Sequence, residues 1–300
     1  MKPPRTSAAP RPASSSLNFH GTAEQSAVVK KAMDTITLLM AGGAEYLRPL
    51  RAHLSTLPEN QQVRMLGTPD SFGHLPLYAA MEEGQAEAVK AYGELLEVIP
   101  KDKRFELLAA KFEDDSALYN AMSLGKHEVI KAYGEVLASL YCESQHGKRQ
   151  RIDTSSASTR EMQELCDLLA GKNRFGDSAL YTAMSSGEAE AVKEYGDLLK
   201  LAPPEKRFDL LLPRNEKNES GLAIALRRNK FDAVTQYLGI VEKHASDLPS
   251  DDIESLQDEL QYCRDHILSG SLLISAPDQY KKMYEQLSNT CGILLDLLES

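Results

Sequence analysis

The chain has 300 residues, of which 42% are hydrophobic, and this is enough to bury a core in one large or two ordinary domains. Its formal net charge of -10 opposes nucleic-acid binding, because phosphate contacts need a basic face and the lysines and arginines here are dispersed. No apolar run reaches the roughly 18 residues of a membrane-spanning helix, and the four cysteines, without a C-x-x-C pair, predict neither a disulfide framework nor a zinc site.

Residues 1–23 combine proline, serine and alanine with three cations and no acid. Such a segment cannot bury enough apolar surface to offset the entropy of ordering, so we expect it to be disordered. Its prolines also oppose the amphipathic helix of an organellar transit peptide. Two interpretations stay open: an unfolded export signal, or a terminus without a role.

Residues 24–57 predict an amino-terminal helical cap. Apolar residues at helical spacing indicate a first helix from Glu24 to Met40 and a second, short one from Glu45 to Leu54. The first of these vaguely echoes the repeat described next. A series of repeats needs such a cap to cover its first hydrophobic face.

Residues 58–243 hold a sequence that returns in about four copies. Equivalent glycines, Gly84, Gly125 and Gly187, are 41 and 62 residues apart, and Asn229 follows 42 residues later. The basic period is therefore 41–42 residues, and the middle interval carries an insertion of about 20 residues. We assign the insertion to residues 142–160, which lack apolar periodicity and predict a solvent-exposed loop.

Each copy predicts two main helices. Helix A begins at a serine or proline and ends at a glycine, residues that favour the start and the end of a helix, respectively. Helix B reads V-x-x-Y-G-x-x-L, whose apolar residues lie on one face. A glycine inside a helix costs about 1 kcal/mol relative to alanine, so its return predicts close approach to a neighbouring helix.

A third short helix is predicted after Pro58, Pro100 and Pro204, and it bridges one helix pair to the next. Beyond the repeats, residues 251–268 and 278–298 again carry apolar residues at helical spacing. We therefore expect residues 244–300 to form a carboxy-terminal helical cap.

The segment from Gly73 to Val89 reads G-H-L-P-L-Y-A-A-M-E-E-G-Q-A-E-A-V and resembles the ankyrin repeat, whose core reads G-x-T-P-L-H-x-A-x-x-x-G-H-x-x-x-V. It departs from that pattern in its longer period, in its third helix and in the tyrosines at the histidine position. The wording A-M-x-x-G-x-x-E-A-[VI]-K-A-Y-G-E-[LV]-L is similar to the ankyrin-type repeats of type III secretion effectors from Gram-negative bacteria. The resemblance implies an all-α fold, an ankyrin-like α-solenoid of about four helical repeats with helical caps.

In ankyrin repeats, the variable helix A positions and the hairpin tips face the groove that binds protein partners. Carried over by position, the resemblance implies the partner-binding residues Ala79, Glu82, Glu83, Asn120, Ser123, Leu124, Thr182, Ser185, Ser186, Ile224, Arg227 and Arg228. The implied hairpin tips are residues 73–74, 114–115, 176–177 and 218–219. The helix A positions run from acidic to basic, which would orient a partner of opposite polarity. The alternative is that they are only the solvated face of four helices.

The resemblance implies a non-enzymatic protein–protein interaction module, secreted by a type III system into the host cell cytoplasm, where it binds a host protein. A secretion chaperone is a further expected partner at the amino-terminal region, whereas nucleic acid, membranes, metals and cofactors are not expected. No catalytic residue is predicted: Cys142 and His146 have the spacing of one metal-binding pair, but no second pair accompanies them. Two alternatives stay open: an enzyme with a site between the repeats and the carboxy-terminal helices, and a scaffold protein of the bacterial cytoplasm.

Overall fold

The computed structural model describes residues 47–70, 72–146, 156–244, 250–268 and 278–299. Residues 1–46, which include the predicted export signal and the first predicted helix of the amino-terminal cap, lie outside the described residues. The described residues are mostly helical, in agreement with the predicted all-α class, and the strands among them form one two-stranded pair. None of the helices in these ranges is long and apolar enough to cross a lipid bilayer.

In chain order, the helices are α1 (Leu47–Leu54), α2 (Glu59–Leu66), α3 (Pro76–Glu83), α4 (Ala86–Leu96), α5 (Lys101–Leu108), α6 (Ala117–Ser123), α7 (His127–His146), α8 (Ser156–Ala170), α9 (Ala179–Ser186), α10 (Ala189–Leu198), α11 (Pro204–Leu211), α12 (Gly221–Arg227), α13 (Phe231–His244), α14 (Ser250–Leu268) and α15 (Asp278–Glu299). A turn of 3-10 helix, Leu199–Leu201, extends α10. Strands β1 (Lys111–Phe112) and β2 (Asp115–Ser116) pair antiparallel between α5 and α6. Helix A of the four copies is α3, α6, α9 and α12, and helix B is α4, α7, α10 and α13.

The residues that start and end helix A act as the sequence predicts. The hydroxyl oxygens of Ser116, Ser178 and Ser220 accept hydrogen bonds from backbone amides in the first turns of α6, α9 and α12. Gly84 and Gly187 end α3 and α9 with φ of 78° and 88°. Most residues with a side chain are strained in this left-handed conformation, which favours glycine, and Asn229 adopts it with φ of 57° in the fourth copy.

Helices of the same kind contact one another from copy to copy. Helix α3 contacts α6, α6 contacts α9, and α9 contacts α12, while α4, α7, α10 and α13 make the corresponding series of helix B contacts. One continuous apolar core runs through the described residues from α1 to α15. At the two ends of the helix B series, α1 packs on α4 and α15 packs on α13.

The glycines inside helix B lie where the next helix B approaches. A Cβ atom on Gly93 would lie 2.5 Å from Cγ2 of Val136, and one on Gly134 would lie 2.5 Å from Cδ2 of Leu198. These separations are far below van der Waals contact, so the predicted close approach is confirmed. In the fourth copy, Leu238 takes the place of the glycine and is buried.

The loop predicted over residues 142–160 is helical at both of its ends. Helix α7 continues to His146 and α8 begins at Ser156, so residues 142–146 and 156–160 are helical although the sequence predicts a loop. Residues 147–155 lie outside the described residues. Helix α8 also supplies a third helix that the sequence analysis missed, because it has no proline at its start and its amino-terminal half is polar.

Candidate functional site

Short hairpin turns connect the third helix of one copy to helix A of the next. The β1–β2 hairpin precedes α6, and single β-bridges, Lys172 with Ser178 and Arg214 with Ser220, precede α9 and α12. The predicted tip residues Asp114, Gly176 and Asn218 lie in these turns, with φ of 71°, 89° and 60°. Another turn, in which the amide of Asp70 donates a hydrogen bond to the carbonyl oxygen of His74, precedes α3, and its Gly73 also has a positive φ. In chain order this is the first turn, and the turns before α6, α9 and α12 are the second, third and fourth.

Three of these turns are organised by the same kind of side chain. Oδ1 of Asp70, Asn173 and Asn215 accepts hydrogen bonds from the backbone amides two and four residues later, at distances between 2.8 and 3.0 Å. Such bonds hold a turn in one conformation. The sequence analysis missed this pattern, although each Asp or Asn stands six residues before the first residue of its helix A.

Neighbouring turns are tied to one another. Oδ1 of Asp115 accepts a hydrogen bond from the backbone amide of Arg174 at 2.9 Å, and Oδ1 of Asp177 accepts one from the amide of Glu216 at 3.1 Å. The guanidinium of Arg174 also lies 3.3 Å from the carboxylate of Glu113. The turns before α6, α9 and α12 therefore keep a fixed spacing, which makes them a preorganised surface.

The predicted partner-binding residues differ in exposure. Thr182 is buried, with 9% of its surface exposed, and therefore offers no surface to a partner. The other eleven, which we call the helix A face, are exposed or partly buried: Ala79, Glu82, Glu83, Asn120, Ser123, Leu124, Ser185, Ser186, Ile224, Arg227 and Arg228.

The basic end of the helix A face is partly neutralised within the chain. Glu219 offsets the charge of Arg227 in an ion pair, whereas Arg228 keeps its charge and donates a hydrogen bond to the neutral carbonyl oxygen of Ser185 at 3.2 Å. Glu83, in contrast, is exposed and has no ion-pair partner among the described residues. The predicted charge gradient is therefore weaker at its basic end than the residue types alone imply.

Two exposed phenylalanines stand at the tips of the turns. Phe72 is 78% exposed and Phe175 is 54% exposed, and Leu124 at the end of α6 adds a third exposed apolar side chain. Exposed aromatic side chains are enriched in protein–protein interfaces. The sequence analysis missed both phenylalanines because it placed the tips at residues 73–74 and 176–177, one residue after each phenylalanine.

A polar cluster joins the fourth copy to α14, in the region where an enzyme site was the alternative. The buried carboxylate of Glu259 accepts hydrogen bonds from the hydroxyl of Ser220 and from Nη2 of Arg214, the latter at 3.3 Å. Burial raises the pKa of Glu259 even though Ser220 and Arg214 oppose the rise. Since the Ser220 hydroxyl also caps α12, its geometry fits a structural role.

The described side chains offer little for metal or thiol chemistry. Within them, no group of three or more His, Cys, Asp or Glu residues is arranged to hold a metal ion. Cys166 and Cys291 are buried, and burial raises the pKa of both thiols, that of Cys291 to about 11. Because the thiolate is the nucleophile, such thiols are poorly reactive. The side chains of Cys142 and His146 lie outside the described ones.

A cleft of about 340 Å³ opens between α5 and α8. Its size is at the lower end of the roughly 300 to 1,000 Å³ of small-molecule pockets. The lining is mainly apolar, and its titratable side chains are Lys111, Tyr133, Asp167 and Lys172. Burial raises the pKa of Tyr133, whose hydroxyl donates a hydrogen bond to a backbone carbonyl, so this tyrosine is engaged in the fold.

Searches against protein-family models and curated protein sequences found no match to this chain. The resemblance to ankyrin repeats therefore stays a prediction from the repeat sequence.

Proposed function

We propose that the chain is an ankyrin-like α-solenoid that binds a protein partner through the helix A face and the hairpin turns, without catalysing a reaction. The observation that carries this proposal is the row of turns, in which Asp115 and Asp177 tie the turns before α6, α9 and α12 to one another. A surface that is fixed before binding loses less conformational entropy when the partner docks.

The distribution of shared and variable residues supports the same proposal. Residues that the copies share, such as Leu77, Leu118 and Leu180, are buried in the core. Residues that differ between copies, such as Glu83 and Leu124, are exposed. The shared residues are thus explained by packing in the core. The variable, exposed residues are the ones that can contact a partner and determine specificity.

The ankyrin-like arrangement is supported by the two parallel series of contacts, helix A with helix A and helix B with helix B. A hairpin turn before each helix A adds to this support. The third helix of each copy and the longer period would make the protein a variant of the standard ankyrin repeat.

We further propose that a type III system delivers the chain into the host cell cytoplasm. In this proposal residues 1–23 are the export signal, a secretion chaperone binds near them, and the partner of the helix A face is a host protein. Two features support this proposal: the sequence pattern of the repeats, and the acid-free, Pro- and Ser-rich composition of residues 1–23. A bacterial cytoplasmic scaffold is the alternative that an export assay separates.

Affinity capture from host-cell lysate tests the binding function. Full-length wild type is compared with a variant that carries Glu83→Lys and Leu124→Ser, both at exposed positions of the helix A face. We expect the variant to lose the captured partner while its circular-dichroism melting curve stays unchanged. Glu87→Lys, at an exposed position of α4, is the control with the same charge change and should retain the partner. Equal capture by wild type and the helix A variant would contradict the proposal.

A further inference from the structure

Four aromatic rings meet at the first hairpin turn, and we call them the first-turn aromatic cluster: Phe72, His74, Tyr78 and Phe112. The His74 ring lies between the others, with its centroid 4.3 Å from that of Phe112, 5.5 Å from Tyr78 and 6.2 Å from Phe72. Tyr78 is buried, whereas Phe72 is 78% exposed. The inner rings thus form a packed base, and Phe72 offers its ring to solvent.

Carboxylates border this cluster. Oδ2 of Asp70 and Oε2 of Glu82 each lie 3.8 Å from Nδ1 of His74, the central ring. Both carboxylates therefore border the central ring of the cluster, and Oδ1 of Asp70 also accepts a hydrogen bond from the backbone amide of Phe72. An aromatic face with carboxylates beside it attracts a cation, because the electron-rich face and the negative charges act in the same direction.

Two carboxylates of the second turn also act electrostatically on Tyr78. Burial and then the charges of Glu82, Asp115 and Glu113 raise the pKa of Tyr78 to about 12. Glu113 and Asp115 are already engaged by Arg174, so Asp70 and Glu82 are the carboxylates that border the cluster. The nearby Lys111 faces the cleft between α5 and α8 instead, since side chains alternate along a strand.

The third turn also has an exposed phenylalanine with a carboxylate nearby, and there a cation of the chain itself lies over the ring. The guanidinium of Arg174 lies 5.0 Å from the ring centroid of Phe175 and 3.3 Å from the carboxylate of Glu113. Phe72 and Phe175 occupy equivalent positions, each two residues after the Asp or Asn that organises its turn. Where the third turn has Arg174, however, the sequence of the first turn has Ser71.

We propose that the first-turn aromatic cluster binds an arginine or lysine side chain of the protein partner, with the cation over Phe72 and beside the carboxylates of Asp70 and Glu82. This inference rests on the proposed function only in assigning the cation to a protein partner. The partner segment is thus basic at the amino-terminal end of the row of turns. The cation takes the place that Arg174 occupies over Phe175, and its charge is complementary to the carboxylates of Asp70 and Glu82.

Peptide titration of the full-length, isotope-labelled chain tests this site by NMR. The probes are three capped pentapeptides, Ala-Ala-X-Ala-Ala, with arginine, lysine or glutamate at the centre. We expect the arginine or lysine peptide to shift the amide signals of residues 72–74, and the glutamate peptide to leave them in place. Phe72→Ala and Glu82→Gln should each weaken the response about threefold or more, whereas the control Phe175→Ala should not change it.

A second variant tests the role of the internal cation. Arg174→Ser gives the third turn the residue of the first turn and exposes the ring of Phe175. This variant should gain a second set of shifts around Phe175 with the same cationic peptides. Failure to gain them would contradict the equivalence of the two turns.

Three results would overturn the proposal: equal shifts with the glutamate peptide, no shift at residues 72–74 with either cationic peptide, or shifts that survive both Phe72→Ala and Glu82→Gln. The titration needs no protein partner. A failed titration would therefore contradict this cation site alone, whereas failed lysate capture would contradict the proposed binding function.

Discussion

The phenolic hydroxyl of Tyr195 in α10 donates a hydrogen bond to the carbonyl oxygen of Leu169, 3.0 Å away near the end of α8. The last carbonyls of a helix have no partner within it, so a buried donor from elsewhere must satisfy them. The same bond recurs in the other copies at 3.0 to 3.3 Å: Tyr92 to Leu66, Tyr133 to Leu108 and Tyr237 to Leu211. The recurring tyrosine of helix B therefore ties each helix B to the preceding third helix.

Replacing Tyr195 by phenylalanine should destabilise the fold, because the buried carbonyl of Leu169 loses its donor. We expect a loss of about 1 to 3 kcal/mol in the free energy of unfolding, measured by urea denaturation. Tyr119→Phe is the matched control, since Tyr119 is only partly buried and should change stability by less than about 0.5 kcal/mol. Equal losses in the two variants would show that the hydrogen bond of the Tyr195 hydroxyl does not stabilise the fold.

The glycines of helix B should respond differently to alanine. At Gly93 a Cβ atom would meet both methyl groups and the Cβ of the stiff, branched Val136, so Gly93→Ala should cost about 1 to 3 kcal/mol. At Gly239, inside α13, a Cβ atom meets nothing within 4 Å, so Gly239→Ala should gain up to about 1 kcal/mol. Thermal or urea unfolding measures both, and a stabilising Gly93→Ala would refute the close approach.

Glu259 should make stability depend on pH. Burial raises the pKa of this carboxyl in the folded chain above its ordinary value of 4.5, so the folded state binds the proton more tightly than the unfolded state. The stability that proton binding by Glu259 contributes is complete below pH 4.5 and is lost as pH rises through the raised pKa. Glu259→Gln keeps an acceptor for Ser220 but cannot titrate.

Urea unfolding of wild type and Glu259→Gln across this pH range checks the prediction. The variant should become more stable relative to wild type as pH rises, because only wild type loses the contribution of the proton. Parallel stability curves would mean that Glu259 does not titrate with a raised pKa. Glu259→Ala removes the acceptor as well and should be less stable than Glu259→Gln by about 1 to 3 kcal/mol at every pH.

A reporter fusion tests the proposed export. Residues 1–25, fused to an enzyme that becomes active only in host cytoplasm, should deliver it from bacteria with a working type III system. The same fusion in bacteria that lack the secretion ATPase is the control and should give no signal. A reporter that stays inside the bacterium in both strains would favour the cytoplasmic scaffold.

The helices of the repeat could be predicted from the sequence because local chemistry decides where they begin and end. Ser178 caps α9 and Gly187 ends it, and both act through bonds to their own helix. The glycines of helix B could be interpreted as well, since a costly residue that recurs needs a packing reason. Helix α8 was missed because its start lacks the proline that marks the other third helices.

The candidate site could be predicted only in part. Glu83 and Leu124 are exposed, as positions carried over from the ankyrin pattern should be, but Thr182 is buried. Phe72 and Phe175 were not predicted, because their exposure depends on how the turns project from the helices. Contacts between turns, such as that of Asp115 with Arg174, join residues 59 positions apart and leave no local pattern in the sequence.

Site-specific photo-crosslinking tests most directly whether the helix A face binds the partner. A photoreactive phenylalanine analogue replaces either Leu124, 49% exposed on that face, or Ile293, 64% exposed on α15, and each protein is irradiated in host lysate. We predict a discrete crosslinked partner from position 124, identified by mass spectrometry and absent from position 293. A partner crosslinked from position 293 alone would contradict the assignment of binding to the helix A face.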